Sequence, residues 1–432
     1  MFLLLDQALS IFEAASGCQV HRDIDQDKCK AVLLGNWRRL TQEQIPVPYL
    51  KISDFLDMLG LTLTATFTQT RKINGDILVS KVKNVIGSWR VGRFMPMTER
   101  GWSINTFALS KVWYRTHCVD LRQGDVNNIN KSVRQFLFAD QLESPMEVVR
   151  YRSKESGGLG LLHVKSKATA TQIKSLMETS VNEKYVKSPY HSALISWNVF
   201  DNRTIPNPGK NPYYSTETYN IIKRAVLEGN ELEAMSGKDW YQFILRSVLE
   251  EEEGHLVPCR VELLHPLHDW TRSWALARLK GLSSETMTFL FRMLHQILPC
   301  RQRLERIFPR VESSVCRVCD TGEADSLVHS LALCPGSRES FDWMMTALGK
   351  FSDGLTKDKI LLLDISASAP LPHNDLPLVW FTGEVLRRIF IYRRDEKRCR
   401  LYEIRAELEA EINMVRRSKF ADMAVILDVM ME

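Results

Sequence analysis

The spacing of apolar residues separates a short mixed opening from a long helical remainder. Near the start, apolar residues recur at helical intervals, at Leu4, Ala8, Ile11, Phe12 and Ala15. The segment KCKAVLLG, residues 28–35, is typical of a short apolar strand that ends in a turn. The threonine-rich alternation over residues 61–67 predicts another strand. The pattern up to about residue 70 therefore indicates α/β character.

Helical periodicity dominates the rest of the chain. From 71 to about 139 it predicts two or three helices, the first with a stripe of Ile77, Val82, Val85, Ile86 and Trp89. Further helices are predicted over 168–179, 239–249, 271–280 and 284–297, with Ser283 or Ser284 as the N-cap of the fourth, and a last helical stretch is predicted over 379–414. The fold class we expect is α+β and predominantly α-helical.

Residues 200–215, DNRTIPNPGKNPYYST, are rich in Asn, Pro and Gly and are the strongest candidate for a linker. A chain of 432 residues is long enough for two to four domains with separate cores. We therefore expect a domain boundary near 200–235.

Composition sets the class of protein but not its function. Apolar residues at 44% and charged residues at 25% are ordinary for a globular protein, and nine scattered cysteines favour a reducing compartment. The start, MFLLLDQALSIF, has no basic leader, and Asp6 interrupts its apolar run. We expect no signal peptide, no membrane span and an intracellular location, in the nucleus or the cytoplasm.

The segment CRVCDTGEADSLVHSLALC carries a metal-ligand pattern. Cys316 and Cys319 have the C-x2-C spacing of a zinc knuckle, and His329 and Cys334 suit the start and end of one short helix. Four protein ligands leave no open position for a reactive water, so the pattern predicts a structural Cys3His zinc site. The alternative is three small buried thiols and a locally hydrogen-bonded histidine.

Arginines precede and enter this segment. The net charge of +5 is too small to indicate a nucleic-acid partner by itself, but the C-terminal third holds two basic clusters, over 292–317 and 387–400. The candidate phosphate contacts are Arg301, Arg303, Arg306, Arg310 and Arg317. On charge alone, a solvated helix face explains these arginines equally well.

Two apparent catalytic motifs are set aside. Phe138–Asp140 reads FAD, but Gln141 follows and the flanks look helical, whereas two-metal chemistry needs converging carboxylates. Asp395–Lys397 reads DEK among arginines and predicts a surface ion-pair face. No small-molecule substrate is evident.

Several segments follow one another along the chain in this order: SGCQVHRDIDQDKCKAVLLG, DMLGLTLTATF, SWRVGRFMPMTERGWSINTFALSKVWYRTHCVDL, QFLFADQLESP, SGGLGLLHVKSKATA and the zinc pattern. Their succession resembles the C-terminal half of non-LTR (LINE-type) retrotransposon reverse transcriptases. The resemblance implies a palm edge over 1–70, a helical thumb over 71–145, a connecting region over 146–235, a helical region with the zinc-binding domain over 236–350, and a C-terminal helical region over 351–432. The resemblance also implies that Cys316, Cys319, His329 and Cys334 correspond to the zinc ligands of the family, and it suggests Lys28 as a proton donor.

This chain departs from the family in lacking the catalytic aspartates, which lie N-terminal to the matched part. We therefore expect a truncated reverse transcriptase that binds RNA or DNA without polymerising, with Mg²⁺ relevant only to an intact parent polymerase. The alternatives are a zinc-stapled protein-interaction scaffold and a C-terminal part that complements a separate polymerase chain.

Overall fold

The computed structural model describes residues 2–16, 29–33, 35–45, 47, 49–89, 95–138, 145–181, 216–232, 234–249, 258–308 and 313–432. The fold is predominantly helical with small sheets, as predicted. Lys28 and the predicted linker lie outside the described residues. The chain forms two compact units. The first comprises 1–85, 107–132 and 163–245, and the second comprises 86–106, 133–162 and 246–432.

The elements follow one another in this order. The opening contains α1 (Phe2–Ser16), β1 (Lys30–Ala31), β2 (Lys51–Ile52), β3 (Phe55–Met58) and β4 (Leu61–Thr64). The helices that follow up to residue 276 are α2 (Phe67–Ser88), α3 (Met97–Ser103), α4 (Ser110–Thr116), α5 (Gln123–Phe138), α6 (Glu147–Tyr151), α7 (Val164–Val181), α8 (Thr216–Leu227), α9 (Gly237–Leu249), α10 (Arg260–Leu264) and α11 (Trp270–Leu276). The remainder contains α12 (Ser284–Leu294), α13 (Arg301–Ile307), α14 (Arg338–Gly349), α15 (Lys357–Leu361), α16 (Leu376–Arg394), α17 (Leu401–Arg416) and α18 (Ala421–Met431).

Within the described residues, the first unit contains two small sheets. β1 pairs with β2 in parallel, and β3 pairs with β4 as an antiparallel hairpin in which Phe55 faces Thr64. Leu59 and Gly60 form the two-residue turn, with φ of 49° and 81°. Positive φ at both positions matches the twist of a tight hairpin. The strand predicted from residue 61 is thus confirmed over Leu61–Thr64, and α2 begins three residues later.

The buried face of α2 includes part of the predicted apolar stripe and also a polar side chain. Asn74 is fully buried, and its amide donates to the carbonyl oxygens of Thr62 and Thr70 at 2.7 and 2.8 Å. Its Oδ1 accepts from the Thr62 N–H and from Arg115. Leu78 and the predicted Val82 lie on the same buried face, whereas the predicted Ile77 is only half-buried. A fully bonded amide therefore joins α2 to β4, and apolar spacing does not reveal it.

The second unit contains the C-terminal helices. α12 begins at the predicted cap, where Ser283 Oγ accepts from the Thr286 N–H at 3.1 Å. α16 packs against α12, α14 and α17, and a Cβ at Gly383 would lie 2.6 Å from Thr286 Cγ2. The two helices approach closely at this point because Gly383 has no side chain. Over the described ranges, no helix has both the length and the apolar character that a membrane span needs.

The helical stretch predicted over 379–414 is helical over most of its length and consists of two helices, α16 and α17. The break lies at 395–400, where Glu396 has a φ of +56° and the Cys399 N–H donates to the Gly336 carbonyl at 2.7 Å. This long-range bond takes the backbone away from helical pairing. The apolar tail that follows forms α18, which packs on α17.

Candidate metal centre and its cationic surroundings

A short hairpin positions the first two cysteines. Val315 and Ala324 form an antiparallel bridge, and the Cys316 N–H donates to the Glu323 carbonyl at 2.9 Å. The tip of this hairpin carries Cys316 and Cys319. The Val318 N–H lies 3.4 Å from Cys316 Sγ and donates to it. The C-x2-C spacing thus directs two sulfurs to one side of a turn.

A π-helical turn over His329–Leu333 positions the other two side chains, as the sequence predicted. The Cys334 N–H donates to the His329 carbonyl at 2.8 Å, so the two residues lie on one face of the turn. The Gly336 N–H donates to Cys334 Sγ at 3.4 Å, which repeats the arrangement at Cys316.

The four predicted ligands converge in the interior. Their donor atoms all lie within 4.8 Å of one another, and the four residues are 0–6% exposed. Cys316 Sγ lies 3.9 Å from Cys334 Sγ, and Cys319 Sγ lies 3.4 Å from His329 Nε2. Tetrahedral zinc requires about 3.8 Å between two sulfurs and about 3.6 Å between sulfur and nitrogen. The cluster is therefore consistent with a structural metal site, such as a zinc site.

Two charged side chains contact the ligands from outside the cluster. Glu323 Oε2 lies 2.7 Å from His329 Nδ1, which leaves Nε2 directed at the sulfurs. Arg393, at the end of α16, donates from Nη2 to Cys316 Sγ at 2.7 Å. These contacts place a carboxylate beside the histidine ring and a buried positive charge beside a cysteine ligand.

The thiol pKa values reflect this environment. Burial raises the pKa of Cys316, but hydrogen bonds from the Val318 N–H and from Arg393 outweigh it and hold the pKa below its usual value. Burial raises the pKa of Cys334 to about 12, despite the hydrogen bond from the Gly336 N–H. A divalent cation would supply the charge that all three sulfurs need to act as thiolates.

Asp325 ties the arginine-rich helix α13 to the hairpin. Its Oδ2 accepts from the Arg301 N–H at 3.1 Å, and its carbonyl accepts from the Gln302 N–H at 3.3 Å. Its Oδ1 lies 3.4 Å from Arg393 Nη2. The first turn of α13 is therefore anchored to the segment that carries the metal ligands.

The predicted phosphate contacts occupy different environments. Arg301 is mostly buried, donates from Nε to the Ser313 carbonyl at 3.1 Å, and lies 3.5 Å from Glu396. Arg303 is half-buried and donates to the Gln296 carbonyl, whereas Arg306 is exposed. Arg317 is exposed and pairs with Glu396 at 3.1 Å. Arg310 lies outside the described residues.

The two motifs set aside also have defined positions. Phe138 is the last residue of helix α5 and is buried, while Ala139 and Asp140 lie outside the described residues. Glu396 of the DEK motif pairs with two arginines at the protein surface, which is the predicted ion-pair role.

Sequence reasoning missed Glu323, Asp325 and Arg393. Glu323 and Asp325 were visible as acidic residues between the ligand pairs, and Arg393 was visible within a basic cluster. Which ligand each one contacts depends on tertiary packing. No protein-family model matches the chain, and no curated protein matches it in sequence.

Proposed function

We propose that this chain is a nucleic-acid-binding protein in which a structural zinc ion holds Cys316, Cys319, His329 and Cys334 together. The observation that carries the proposal is the buried convergence of these four donors within 4.8 Å. Zinc at this site has four protein ligands, so it stabilises the fold and activates no water.

The nucleic-acid role is supported by the position of exposed arginines around the cluster. Arg317 lies within the knuckle itself, and Arg306 lies on the helix that Asp325 anchors to it. Arginines on a fixed frame neutralise phosphates without reading bases, because phosphate contacts carry no sequence information. RNA or DNA binding by this surface is therefore sequence-tolerant and weakens as salt rises.

The ordered resemblance to LINE-type reverse transcriptases supports a more specific proposal. The chain corresponds to the end of a palm, a thumb, a connecting region and a zinc-binding domain, and it binds nucleic acid without synthesising DNA by itself. Primer extension on an RNA template with Mg²⁺ tests this last part. Robust synthesis by the purified chain contradicts it.

The first experiment measures zinc content by mass spectrometry beside RNA affinity over a salt titration. The variant Cys316→Ser, Cys319→Ser removes two ligands, and Cys118→Ser is the matched control because Cys118 is an exposed thiol outside the cluster. We expect one zinc per chain and salt-sensitive RNA binding in the wild type and the control, and loss of both in the double variant.

Two results contradict the proposal. If the wild-type chain contains no zinc, the proposed metal site is wrong. If the wild-type chain contains zinc but does not bind RNA at low salt, the nucleic-acid role is wrong and the scaffold alternative is favoured.

A further inference from the structure

A pocket of about 670 Å³ lies beside the turn that follows the last zinc ligand. Pro335 and Gly336 line one side, and the segment Arg398–Tyr402 lines the other, together with Glu339 and Arg405. The Cys399 N–H donates to the Gly336 carbonyl at 2.7 Å and joins the two sides. The lining of the pocket therefore begins at the residue that follows the candidate metal ligand Cys334.

The charged groups that line this pocket are predominantly cationic. Arg398 is exposed and has no ion-pair partner among the described residues. Arg400 donates to the Tyr402 hydroxyl at 3.0 Å and lies 3.8 Å from Glu403. Arg405 donates to a backbone carbonyl of α18 and lies over a tryptophan ring. Glu339 is the acidic lining residue, so the lining carries three positive charges and one negative charge.

The backbone adds to this positive potential. Arg400 is the N-cap of α17, a helix of 16 residues, and no side chain caps its first turn. Leu401 and Tyr402, the first two residues of the helix, line the pocket. The unpaired N–H groups of a helix start favour an anion.

An aromatic surface stands next to these cations. Tyr402 is 63% exposed, and its ring is held by the hydrogen bond from Arg400 and by one from its own hydroxyl to Glu403 at 3.2 Å. An exposed ring beside guanidinium groups is the combination that binds a base and its phosphate in single-stranded nucleic acids. The volume suits a nucleotide unit, because ligand pockets span roughly 300–1,000 Å³.

We propose that this pocket binds one phosphate of a single-stranded nucleic acid, with the adjacent base stacked on Tyr402. The inference rests on the proposed function, because it names the site and the strand form that the nucleic-acid role uses. Arg398 and Arg400 hold the phosphate with the first turn of α17.

The test uses the full zinc-loaded chain and a labelled single-stranded RNA decamer over a salt titration. The variants are Arg398→Gln with Arg400→Gln, and Tyr402→Leu. The control is Arg338→Gln, an exposed arginine of α14 that pairs with Asp342 and does not line the pocket. Unchanged zinc content in every variant establishes that the metal centre is intact.

We expect the double arginine variant to lose at least about tenfold in affinity. The slope of log affinity against log salt concentration should fall in magnitude by about 0.7 in this variant, which is the value for one phosphate contact in a single strand. Tyr402→Leu should lose about tenfold with the slope unchanged, since stacking releases no counterions. The control should match the wild type.

The possible failures are distinguishable. If the wild type and both variants bind RNA equally well, the pocket is not the binding site, and the proposed nucleic-acid role is unaffected. Binding of duplex RNA as tightly as single strand, with no effect of Tyr402→Leu, overturns the single-strand assignment. No RNA binding by the wild type overturns both proposals.

Discussion

Replacing Arg393 by methionine tests the buried charge beside the metal ligands. Three thiolates and one neutral histidine around Zn²⁺ carry a net charge of −1, and Arg393 donates to Cys316 Sγ at 2.7 Å with a side chain only 4% exposed. A hydrogen bond to a charged group contributes roughly 1.5–3 kcal/mol. Because about 1.4 kcal/mol equals a factor of ten, Arg393→Met should weaken zinc binding by about 10- to 100-fold. Loss of a group that hydrogen-bonds a metal ligand typically has an effect of this size.

The neighbouring residue provides a matched control. Arg394 has the same charge at the same helix end, but its side chain is 56% exposed and pairs with Asp395 at 3.2 Å. Zinc dissociation constants from competition with a chelator compare Arg393→Met with Arg394→Met. The cobalt-substituted proteins report by absorption whether three sulfurs still bind the metal. The variant Arg393→Lys keeps the positive charge and should recover part of the zinc affinity that Arg393→Met loses.

A difference of less than twofold between the two methionine variants refutes the reasoning. That result would mean that Arg393 packs against the centre without stabilising its charge. Equal losses in the lysine and methionine variants would instead assign the effect to the geometry of the guanidinium and not to its charge.

Further predictions concern stability and zinc binding. Burial lowers the pKa of His295 to about 4, so protonation of its ring opposes folding. About 3 kcal/mol of unfolding free energy is therefore lost as pH falls from 6.5 towards 4. Urea denaturation at several pH values should show this loss in the wild type and not in His295→Gln. Asn74→Leu removes four buried hydrogen bonds and should cost about 2–4 kcal/mol in the same assay. A Cβ at Gly336 would lie 2.8 Å from Val318 Cγ1, so Gly336→Ala should weaken zinc binding in chelator competition. Gly349→Ala, where a Cβ meets nothing, should leave zinc binding unchanged.

Local spacing was enough to predict the ligand set of the candidate centre. Cys316 and Cys319 lie on one turn, and His329 and Cys334 lie on another, so each pair is positioned by fewer than seven residues of backbone. The Ser283 cap was predictable for the same reason, because a side chain reaches an N–H three residues away. Signals of this kind survive in a single sequence because they do not depend on the rest of the fold.

Features that depend on distant partners were not predictable. Asn74 lies on the buried face of α2 and its amide bonds to a strand twelve residues earlier, and apolar periodicity cannot register a polar residue in a core. The break between α16 and α17 depends on the Cys399 N–H, which donates to a carbonyl 63 residues earlier. The residues at the break, Asp395 and Glu396, are compatible with a continuous helix by composition alone.

The arginines illustrate why charge in a sequence is weaker evidence than position in a fold. Arg301 and Arg317 both lie within 3.5 Å of Glu396, so a phosphate that binds there competes with an existing ion pair. Arg398, two residues after Glu396, has no ion-pair partner among the residues that the structure describes, and it lines a pocket. A cation that is not already compensated gains more from a phosphate than one that must first lose a carboxylate. Arg398 therefore joins Arg306 of α13, which is also exposed and has no ion-pair partner among the described residues, as a candidate for phosphate binding.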